Sequence, residues 1–223
     1  AERSRRSEMR TAYDQNRQYF WQAYESGRHG WQSDEPSPYV IANLGPLATA
    51  LTGRRLLDLG CGEGRHCLAA ARMGLLPIGV DYEPGAVRRA QARARQAGLA
   101  GSAHFLVADI FALPFGPNSF DIGLDYGCLH HQKKADWSRY LAALRAALKP
   151  EAYLLLSVFS TAFGVYGPQK RSWHLAHGAY RRFFTAEELH RLFDPGFEFL
   201  ALEQERDGVR GFWHALMKRR PGW

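Results

Sequence analysis

From Arg55 onward the sequence alternates short apolar runs with amphipathic stretches, and this alternation restricts the possible folds more than any other feature. The runs have the length of strands, whereas the stretches between them repeat apolar residues at helical spacing. We predict strands at Arg55–Leu59, Leu76–Asp81, Ala103–Ala108, Phe120–Asp125 and Ala152–Phe159. We predict helices at Gly64–Met73, Pro84–Ala97 and Asp136–Leu148. Such repeated strand–helix–strand units indicate an α/β fold with a doubly wound, mostly parallel sheet and helices on both faces.

The C-terminal part of the chain departs from this alternation. Thr185, followed by Glu188, forms the pattern of a capping box and predicts a short helix. Two strand-like runs, Phe197–Gln204 and Phe212–Lys218, flank Asp207-Gly208, a pair typical of hairpin turns. We therefore expect a seven-stranded sheet whose last strand is antiparallel.

The N-terminal part is expected to cover the domain rather than join its sheet. Apolar residues recur at helical spacing over Met9–Tyr24, which predicts an amphipathic helix. The glycines and prolines that follow predict a loop holding Trp31 and Tyr39. We interpret residues 1–50 as a helical cap with a lid segment, and residues 51–223 as one domain.

Residues 160–182 are predicted to form a long insertion in this domain, on the substrate side, because long loops in compact domains are often functional. The insertion contains the basic residues Lys170, Arg171, Arg181 and Arg182. They form either a solvated face or a contact for an anionic substrate, and Arg171 is our substrate-side candidate among them.

Charge and cysteine content limit the partners. The net charge of +7 resides largely at the two ends of the chain, which is typical of solvated tails, although nucleic acid would also be attracted. No zinc-finger, RRM or KH pattern supports that partner, and no apolar run approaches the roughly 18 residues that cross a membrane. The three cysteines lack disulfide or metal-site spacing, so we expect a cytoplasmic protein without a metal.

The strongest local signal is a glycine-rich turn between a strand and a helix. Gly60, Gly62 and Gly64 follow the strand in the pattern G-x-G-x-G, and Asp58 precedes them. This spacing misplaces the third glycine for a pyrophosphate, and the acid repels phosphates while favouring a positively charged amino acid group. Asp81, about twenty residues further on, ends the next strand, where a carboxylate accepts from ribose hydroxyls. The turn predicts a nucleoside ligand without phosphates, and a nicotinamide enzyme is the weaker alternative.

These residues resemble the first two motifs of the class I, Rossmann-like S-adenosylmethionine-dependent methyltransferases. The segment from Asp58 to Gly64, which includes Cys61, resembles the motif around the methionine part of the cofactor. Asp81 with Tyr82 is similar to the ribose-binding end of the second strand. The resemblance implies S-adenosylmethionine as cofactor and S-adenosylhomocysteine as product.

Three further segments continue the resemblance to about residue 160. Ala108, Asp109 and Ile110 are similar to the adenine-binding motif, in which the acid accepts from the exocyclic amine. The segment Phe120–Asp125 resembles the fourth strand, whose end at Asp125 lies beside the reacting methyl group. Leu148–Tyr153 matches the helix-to-strand turn, but both of its usual glycines are replaced here.

Aromatic residues near these motifs have two interpretations each. Trp31, with the following Glu35–Pro38, resembles a segment of thiopurine- and tellurite-type methyltransferases that helps to cover the cofactor; alternatively, Trp31 packs against the sheet. Tyr126 either faces the sulfonium by cation–π attraction or fills the core. Tyr39 and His131 are substrate-side candidates.

The expected activity is in-line methyl transfer to a sulfur, oxygen or nitrogen atom of a small molecule. His130 is our candidate base for acceptors that must lose a proton, since it follows the fourth strand. The segment after the fourth strand lacks the Pro-Pro-Tyr pattern of amine-directed nucleic-acid methylases. A cytosine-5 enzyme would need an attacking cysteine, often after proline, whereas Cys128 follows glycine. RNA or protein substrates, and a noncatalytic cofactor-binding role, remain the alternatives; the oligomeric state is not predicted.

Overall fold

The computed structural model describes residues 2–27, 29, 31, 33–162, 174–176, 179–206 and 211–223. The strands are β1 (Arg55–Leu59), β2 (Leu76–Asp81), β3 (His104–Val107), β4 (Phe120–Tyr126), β5 (Leu148–Phe159), β6 (His174–Ala176), β7 (Ala179–Arg181), β8 (Phe197–Arg206) and β9 (Gly211–Arg219). The helices are α1 (Glu2–Ser26), α2 (Pro38–Ala50), α3 (Arg65–Arg72), α4 (Pro84–Gln96), α5 (Trp137–Ala147) and α6 (Ala186–Phe193). None of the helices in these ranges is both long and apolar enough to cross a bilayer.

The main sheet confirms the predicted architecture. Its seven strands follow the order β3-β2-β1-β4-β5-β9-β8. Strands β1 to β5 pair in parallel, whereas β9 runs antiparallel between β5 and β8. The strand order reverses between β1 and β4, and a crevice opens at such a point beyond the carboxyl ends of the strands.

Apolar runs form the central strands because helices cover both faces of the sheet. Leu57 and Leu59 of β1 pack in one buried cluster with α5 and α6, and Leu56 packs in a second cluster with α2. The capping box at Thr185 is present, with its side chain accepting from the Glu188 N–H at 3.2 Å. The predicted helix therefore begins where the sequence places it.

The prediction of a loop around Tyr39 is wrong. Pro38 begins α2. The N–H groups of the first helical turn have no acceptor within the helix, so a proline there sacrifices no hydrogen bond, and its fixed φ suits the helix. Val40, Leu44 and Leu47 bury the inner face of this helix against the sheet. A proline interpreted as a helix breaker is here a helix start.

At the two positions where the family motif has glycines, β5 bulges but is not interrupted. Leu148 already pairs with Phe120, and pairing then resumes at Tyr153 opposite Ile122, so the intervening residues bulge. Glu151 adopts a positive φ of 62° in this bulge, a conformation that glycine adopts more readily.

The insertion at 160–182 is not an irregular loop throughout. β6 and β7 form a separate antiparallel pair within it. Arg171 and Lys170, as well as the predicted turn at Asp207-Gly208, lie outside the described residues.

Candidate active site

A cavity of about 930 Å³ lies beyond the carboxyl ends of β1, β2 and β4. Side chains of α1 and of the segment before α2 cover it, among them Tyr13, Phe20, Tyr24 and Trp31. The cavity therefore occupies the crevice that the strand order creates, with the N-terminal part of the chain as its roof.

The glycine-rich turn after β1 forms one wall of this cavity. Gly60 and Cys61 donate their backbone N–H groups to the Val80 carbonyl of β2, at 2.8 and 3.0 Å. Gly60 and Gly62 have φ values of 67° and 55°, and a Cβ on Gly62 would lie 2.8 Å from the Tyr24 hydroxyl oxygen. Glycine is thus required at Gly62 both by backbone conformation and by the close approach of α1.

Gly64 has a packing role and does not line the cavity. It has a φ of 80°, and a Cβ there would lie 2.6 Å from the ring of Phe105 on β3. Gly64 thus lets the start of α3 approach the neighbouring strand, and its contact with the cofactor stays a prediction.

Asp81 lines the cavity at the end of β2 and is held by two backbone donors. Its Oδ2 accepts from the Gly62 N–H and its Oδ1 from the Glu83 N–H, both at 2.9 Å. Burial raises the pKa of this carboxyl to about 6 although the two backbone bonds act to lower it. A carboxylate oxygen can accept more than one bond, so Asp81 retains capacity for ligand hydroxyls.

Asp58 is the second buried acid at this end of the cavity. The Cys67 thiol donates to its Oδ2 at 3.3 Å. Burial raises its pKa to about 7, and the charges of Asp125 and Asp81 act in the same direction. A cation bound beside Asp58 would relieve both effects.

The loop after β3 contributes Asp109 and Ile110 to the cavity lining. Asp109 Oδ1 accepts from the Phe111 N–H at 2.9 Å, which leaves Oδ2 for a ligand. Ala108 lies in a separate surface groove beside Trp21 and Tyr82, so its side chain is not part of the cavity wall.

Asp125, predicted as a cofactor contact, does not line the cavity. It is fully buried and accepts from the Cys128 and Leu129 N–H groups, at 2.8 and 3.0 Å, and from the Tyr140 hydroxyl at 2.7 Å. Burial raises its pKa to about 6. Its role is to hold the loop after β4 in place.

His130 and His131 both line the cavity on that loop, with different hydrogen bonds. His130 Nδ1 accepts from the Phe159 N–H at 3.3 Å, and burial holds its pKa well below the usual value. His131 Nδ1 lies 2.7 Å from the Tyr180 carbonyl oxygen, which can only accept, so Nδ1 is the protonated nitrogen. Burial lowers the pKa of His131 to about 4, and the charge of Arg181 contributes.

The aromatic candidates divide between cavity and interior. Trp31 lines the cavity and donates from Nε1 to the Tyr24 hydroxyl at 3.2 Å. Tyr126 also lines it, with the Arg65 guanidinium 5.3 Å from its ring centroid. Tyr39, by contrast, is stacked on His214 with ring centroids 4.4 Å apart and does not line the cavity. Its substrate-side role stays a prediction.

Sequence reasoning missed several residues of the cavity wall. His66 and Arg65 lie at the start of α3, Phe159 ends β5 and Phe212 is the second residue of β9. Arg181, which ends β7, also lines the cavity, and the sequence indicated it only as part of a basic cluster. His66 carried a signal, since it follows the glycine-rich turn directly. Nothing local indicated Phe212, which reaches the site only because β9 pairs with β5.

The donor set fits S-adenosylmethionine. Asp81, at the end of β2, offers a carboxylate to ribose hydroxyls, and Asp58 offers a buried negative charge to an ammonium group. Asp109 offers an acceptor to an exocyclic amine. These three acids line one end of the cavity, in the order that a nucleoside with a charged amino acid tail requires.

The fold and the cavity resemble those of Rossmann-like methyltransferases, and comparisons with known proteins point to the same class. Residues 56–151 match the family model described as a methyltransferase domain. This segment of the chain therefore carries a methyltransferase domain.

Curated relatives act on different substrates. A tRNA U34 carboxymethyltransferase of Aeromonas hydrophila is 30% identical over 159 residues, covering 67% of this chain and 47% of the relative. A ubiquinone biosynthesis O-methyltransferase of Cereibacter sphaeroides is 33% identical over 147 residues, covering 63% of this chain and 58% of the relative. The chain thus spans about half the length of these relatives.

Among solved structures, a 1,6-didemethyltoxoflavin-N1-methyltransferase of Burkholderia thailandensis superposes with a TM-score of 0.72 at 23% identity. The alignment covers 93% of this chain and 88% of that one, which was solved with its substrate and S-adenosylhomocysteine bound. At this identity the similarity shows a common fold over nearly the whole chain.

Proposed function

We propose that this chain transfers the methyl group of S-adenosylmethionine to a small-molecule acceptor. The observation that carries the proposal is the roofed cavity, which is lined by three acids at or near the ends of β1, β2 and β3 and by aromatic and basic residues. The similar fold solved with a small heterocyclic substrate supports the size class of the acceptor.

The protein's contribution is alignment and exclusion of water. The cofactor supplies a methyl group already activated by a positively charged sulfur, so no covalent nucleophile from the protein is needed. The roof side chains Phe20, Tyr24 and Trp31 close the cavity over the bound ligands. Holding the attacking atom in line at a short distance then accounts for much of the rate.

An acceptor hydroxyl or amine must also lose a proton. We assign this step to His131 rather than to its neighbour His130, because their hydrogen bonds specify opposite tautomers. Neutral His130 accepts at Nδ1 and so bears its proton on Nε2, whereas neutral His131 donates at Nδ1 and bears a lone pair on Nε2. In this proposal His130 donates a hydrogen bond within the site.

The proposal is tested by incubating the purified chain with S-adenosylmethionine and a panel of phenols, thiols and N-heterocycles. S-adenosylhomocysteine and methylated product are then quantified by mass spectrometry. We expect stoichiometric formation of both with at least one acceptor class, and slower formation of both with Asp81→Asn when S-adenosylmethionine is below saturation.

Transfer to RNA is the second candidate, favoured by the similarity to a tRNA-modifying enzyme and by the net charge of +7. Unmodified tRNA is therefore included in the panel. Turnover with tRNA alone would replace the small-molecule proposal, and cofactor binding without turnover on any acceptor would indicate a noncatalytic binding protein.

A further inference from the structure

The amino acid tail of S-adenosylmethionine carries two opposite charges, an ammonium group and a carboxylate. Asp58, near the end of β1, lines the cavity and offers its negative charge to the ammonium group. A ligand carboxylate close to Asp58 would be repelled unless a cation lies beside it. A cavity that binds the whole tail therefore needs a cation near Asp58.

Arg65 is a cation in this position. It is the first residue of α3, directly after the glycine-rich turn, and it lines the cavity together with Asp58. The charges of the two side chains interact: burial raises the pKa of Asp58 to about 7, and the Arg65 guanidinium acts in the opposite direction. Asp58 precedes the turn and Arg65 follows it, so the turn brings opposite charges to one wall of the cavity.

The Arg65 guanidinium is held by groups that carry no negative charge. Its Nη1 donates to the Glu35 backbone carbonyl at 3.4 Å, and its central carbon lies 5.3 Å from the centroid of the Tyr126 ring. Among the residues that the structure describes, no carboxylate lies within 4.0 Å of this guanidinium. Arg65 is partly buried, so a ligand anion would supply a counter-charge that the protein does not.

Arg65 differs in this respect from two other arginines of the cavity wall. Arg93 Nη2 lies 2.8 Å from the Asp34 carboxylate, and Arg139 Nη1 lies 3.0 Å from the Asp136 carboxylate. Both therefore have a counter-charge in the ligand-free chain. The other arginines that line the cavity come from α1 and β7 rather than from the turn: Arg17 and Arg181. Arg65 thus combines a place at the glycine-rich turn with a charge that no described carboxylate pairs.

We propose that the Arg65 guanidinium binds the carboxylate of the cofactor's amino acid tail while Asp58 binds its ammonium group. A guanidinium presents its N–H donors in a planar fork that matches the two oxygens of a carboxylate. Arg65 then determines specificity for the zwitterionic cofactor against adenosine thioethers that lack the carboxylate. The inference rests on the cofactor of the proposed function and holds for any methyl acceptor.

Calorimetric titration with S-adenosylhomocysteine and two ligands without the carboxylate tests the inference. One is the analogue with an aminopropyl tail, which keeps the ammonium group, and the other is methylthioadenosine, which has neither charge. We expect S-adenosylhomocysteine to bind at least about tenfold more tightly than the aminopropyl analogue, as charge-assisted hydrogen bonds would produce. Arg65→Gln is expected to remove most of this preference by weakening S-adenosylhomocysteine binding alone, and Arg65→Lys to restore part of it. The aminopropyl analogue should not bind more weakly to Arg65→Gln, because the substitution removes a cation near its own ammonium group.

Arg72→Gln is the matched control, because Arg72 is the exposed last residue of the same helix and does not line the cavity. Its preference for S-adenosylhomocysteine is expected to equal that of the unmodified chain. Equal binding of S-adenosylhomocysteine and the aminopropyl analogue to the unmodified chain would overturn the inference. So would an Arg65→Gln variant that loses affinity for all the ligands alike, methylthioadenosine included, because a role in supporting Tyr126 or the Glu35 carbonyl would then be sufficient.

The titration of the unmodified chain with S-adenosylhomocysteine separates the two proposals. Binding of this product that Arg65→Gln leaves unchanged overturns the role of Arg65 alone. Absence of product binding overturns the proposed function, and the inference with it.

Discussion

His130 and His131 are neighbours in the chain with ring centroids 4.5 Å apart, yet their hydrogen bonds specify opposite tautomers. The Phe159 N–H at the end of β5 donates to His130 Nδ1, and the Tyr180 carbonyl of β7 accepts from His131 Nδ1. Only His131 therefore presents a lone pair at Nε2. The two histidines thus differ in tautomer because one is hydrogen-bonded to β5 and the other to β7.

This difference predicts unequal effects of the two substitutions on methyl transfer to a phenol. His131→Gln is expected to lower kcat by about a hundredfold, as loss of a general base does, and His130→Gln to lower it less. Transfer to a thiol that ionises by itself is expected to be nearly unaffected by His131→Gln. A larger loss with His130→Gln than with His131→Gln would contradict the assignment.

The pH profile of phenol methylation checks the same residue. Because the pKa of His131 is lowered to about 4, the imidazole is neutral and able to accept a proton throughout the neutral range. Protonation of His131 should therefore lower the rate of methylation only as the pH falls through about 4, and the His131→Gln variant should not show this decrease. A limb near the ordinary histidine value that disappears with His131→Gln would show that the residue is not held in its low-pKa environment.

Asp81→Asn is expected to weaken S-adenosylhomocysteine binding by about tenfold or more. The amide has one acceptor oxygen where the carboxylate has two, so it loses either a backbone partner or a ligand hydroxyl. Calorimetry measures the affinity, and Asp14→Asn on the exposed side of α1 is the control. Equal affinities for Asp81→Asn and the control would exclude Asp81 from cofactor binding.

Binding of the cofactor is expected to release a proton near neutral pH. The pKa of Asp58 is about 7 in the ligand-free chain, so the carboxyl is partly protonated there, and an ammonium group beside it lowers that pKa. Release should fade at alkaline pH, where Asp58 is already ionised. Titrations in two buffers of different ionisation enthalpy measure this release, and Asp58→Asn should reduce it. Equal apparent enthalpies in both buffers near neutrality would refute this coupling.

Asn16 is expected to hold α1 over the cavity. Its side chain accepts from the Tyr180 N–H at 2.8 Å and donates to the His131 carbonyl at 3.4 Å, and the residue is buried. Asn16→Leu removes both bonds, and we expect a local opening free energy lower by about 2 kcal/mol. Faster amide exchange at Tyr180 would report the change, with Gln15→Leu on the exposed face as control. Unchanged exchange would show that other contacts hold the helix.

Gly64→Ala tests the packing role of this glycine. The new Cβ would lie 2.6 Å from the Phe105 ring, and the alanine would have to adopt a φ of 80°. At Gly98 an alanine would have to adopt a φ of 70°, but its Cβ would have no atom within 4 Å. We expect a loss of unfolding free energy of about 1 kcal/mol for Gly98→Ala and 1–3 kcal/mol more for Gly64→Ala. Urea denaturation measures both, and equal losses would show that Phe105 moves aside at little cost.

Local sequence determined much of the scaffold. The predicted bounds of β1 and β2 agree with the structure, and the capping box at Thr185 begins α6 as expected. These features depend on the alternation of apolar residues and on turn and cap chemistry within a few positions, which a single segment contains. α2 was missed because Pro38 is compatible with both a break and a helix start, and the choice depends on the burial of Leu44 against the sheet.

The sequence by itself also indicated the three acids of this site, because Asp58 and Asp81 lie at the ends of β1 and β2 and Asp109 follows β3 by two residues. Only the tertiary structure decided which of the predicted residues line the cavity. Asp125 is instead hydrogen-bonded to Tyr140 and two backbone amides, and Gly64 packs on Phe105. It also brought Asn16, Arg181 and Phe212 to one site from distant parts of the chain. Strand order and helix docking make those contacts, and they depend on the burial of whole faces rather than on any local pattern.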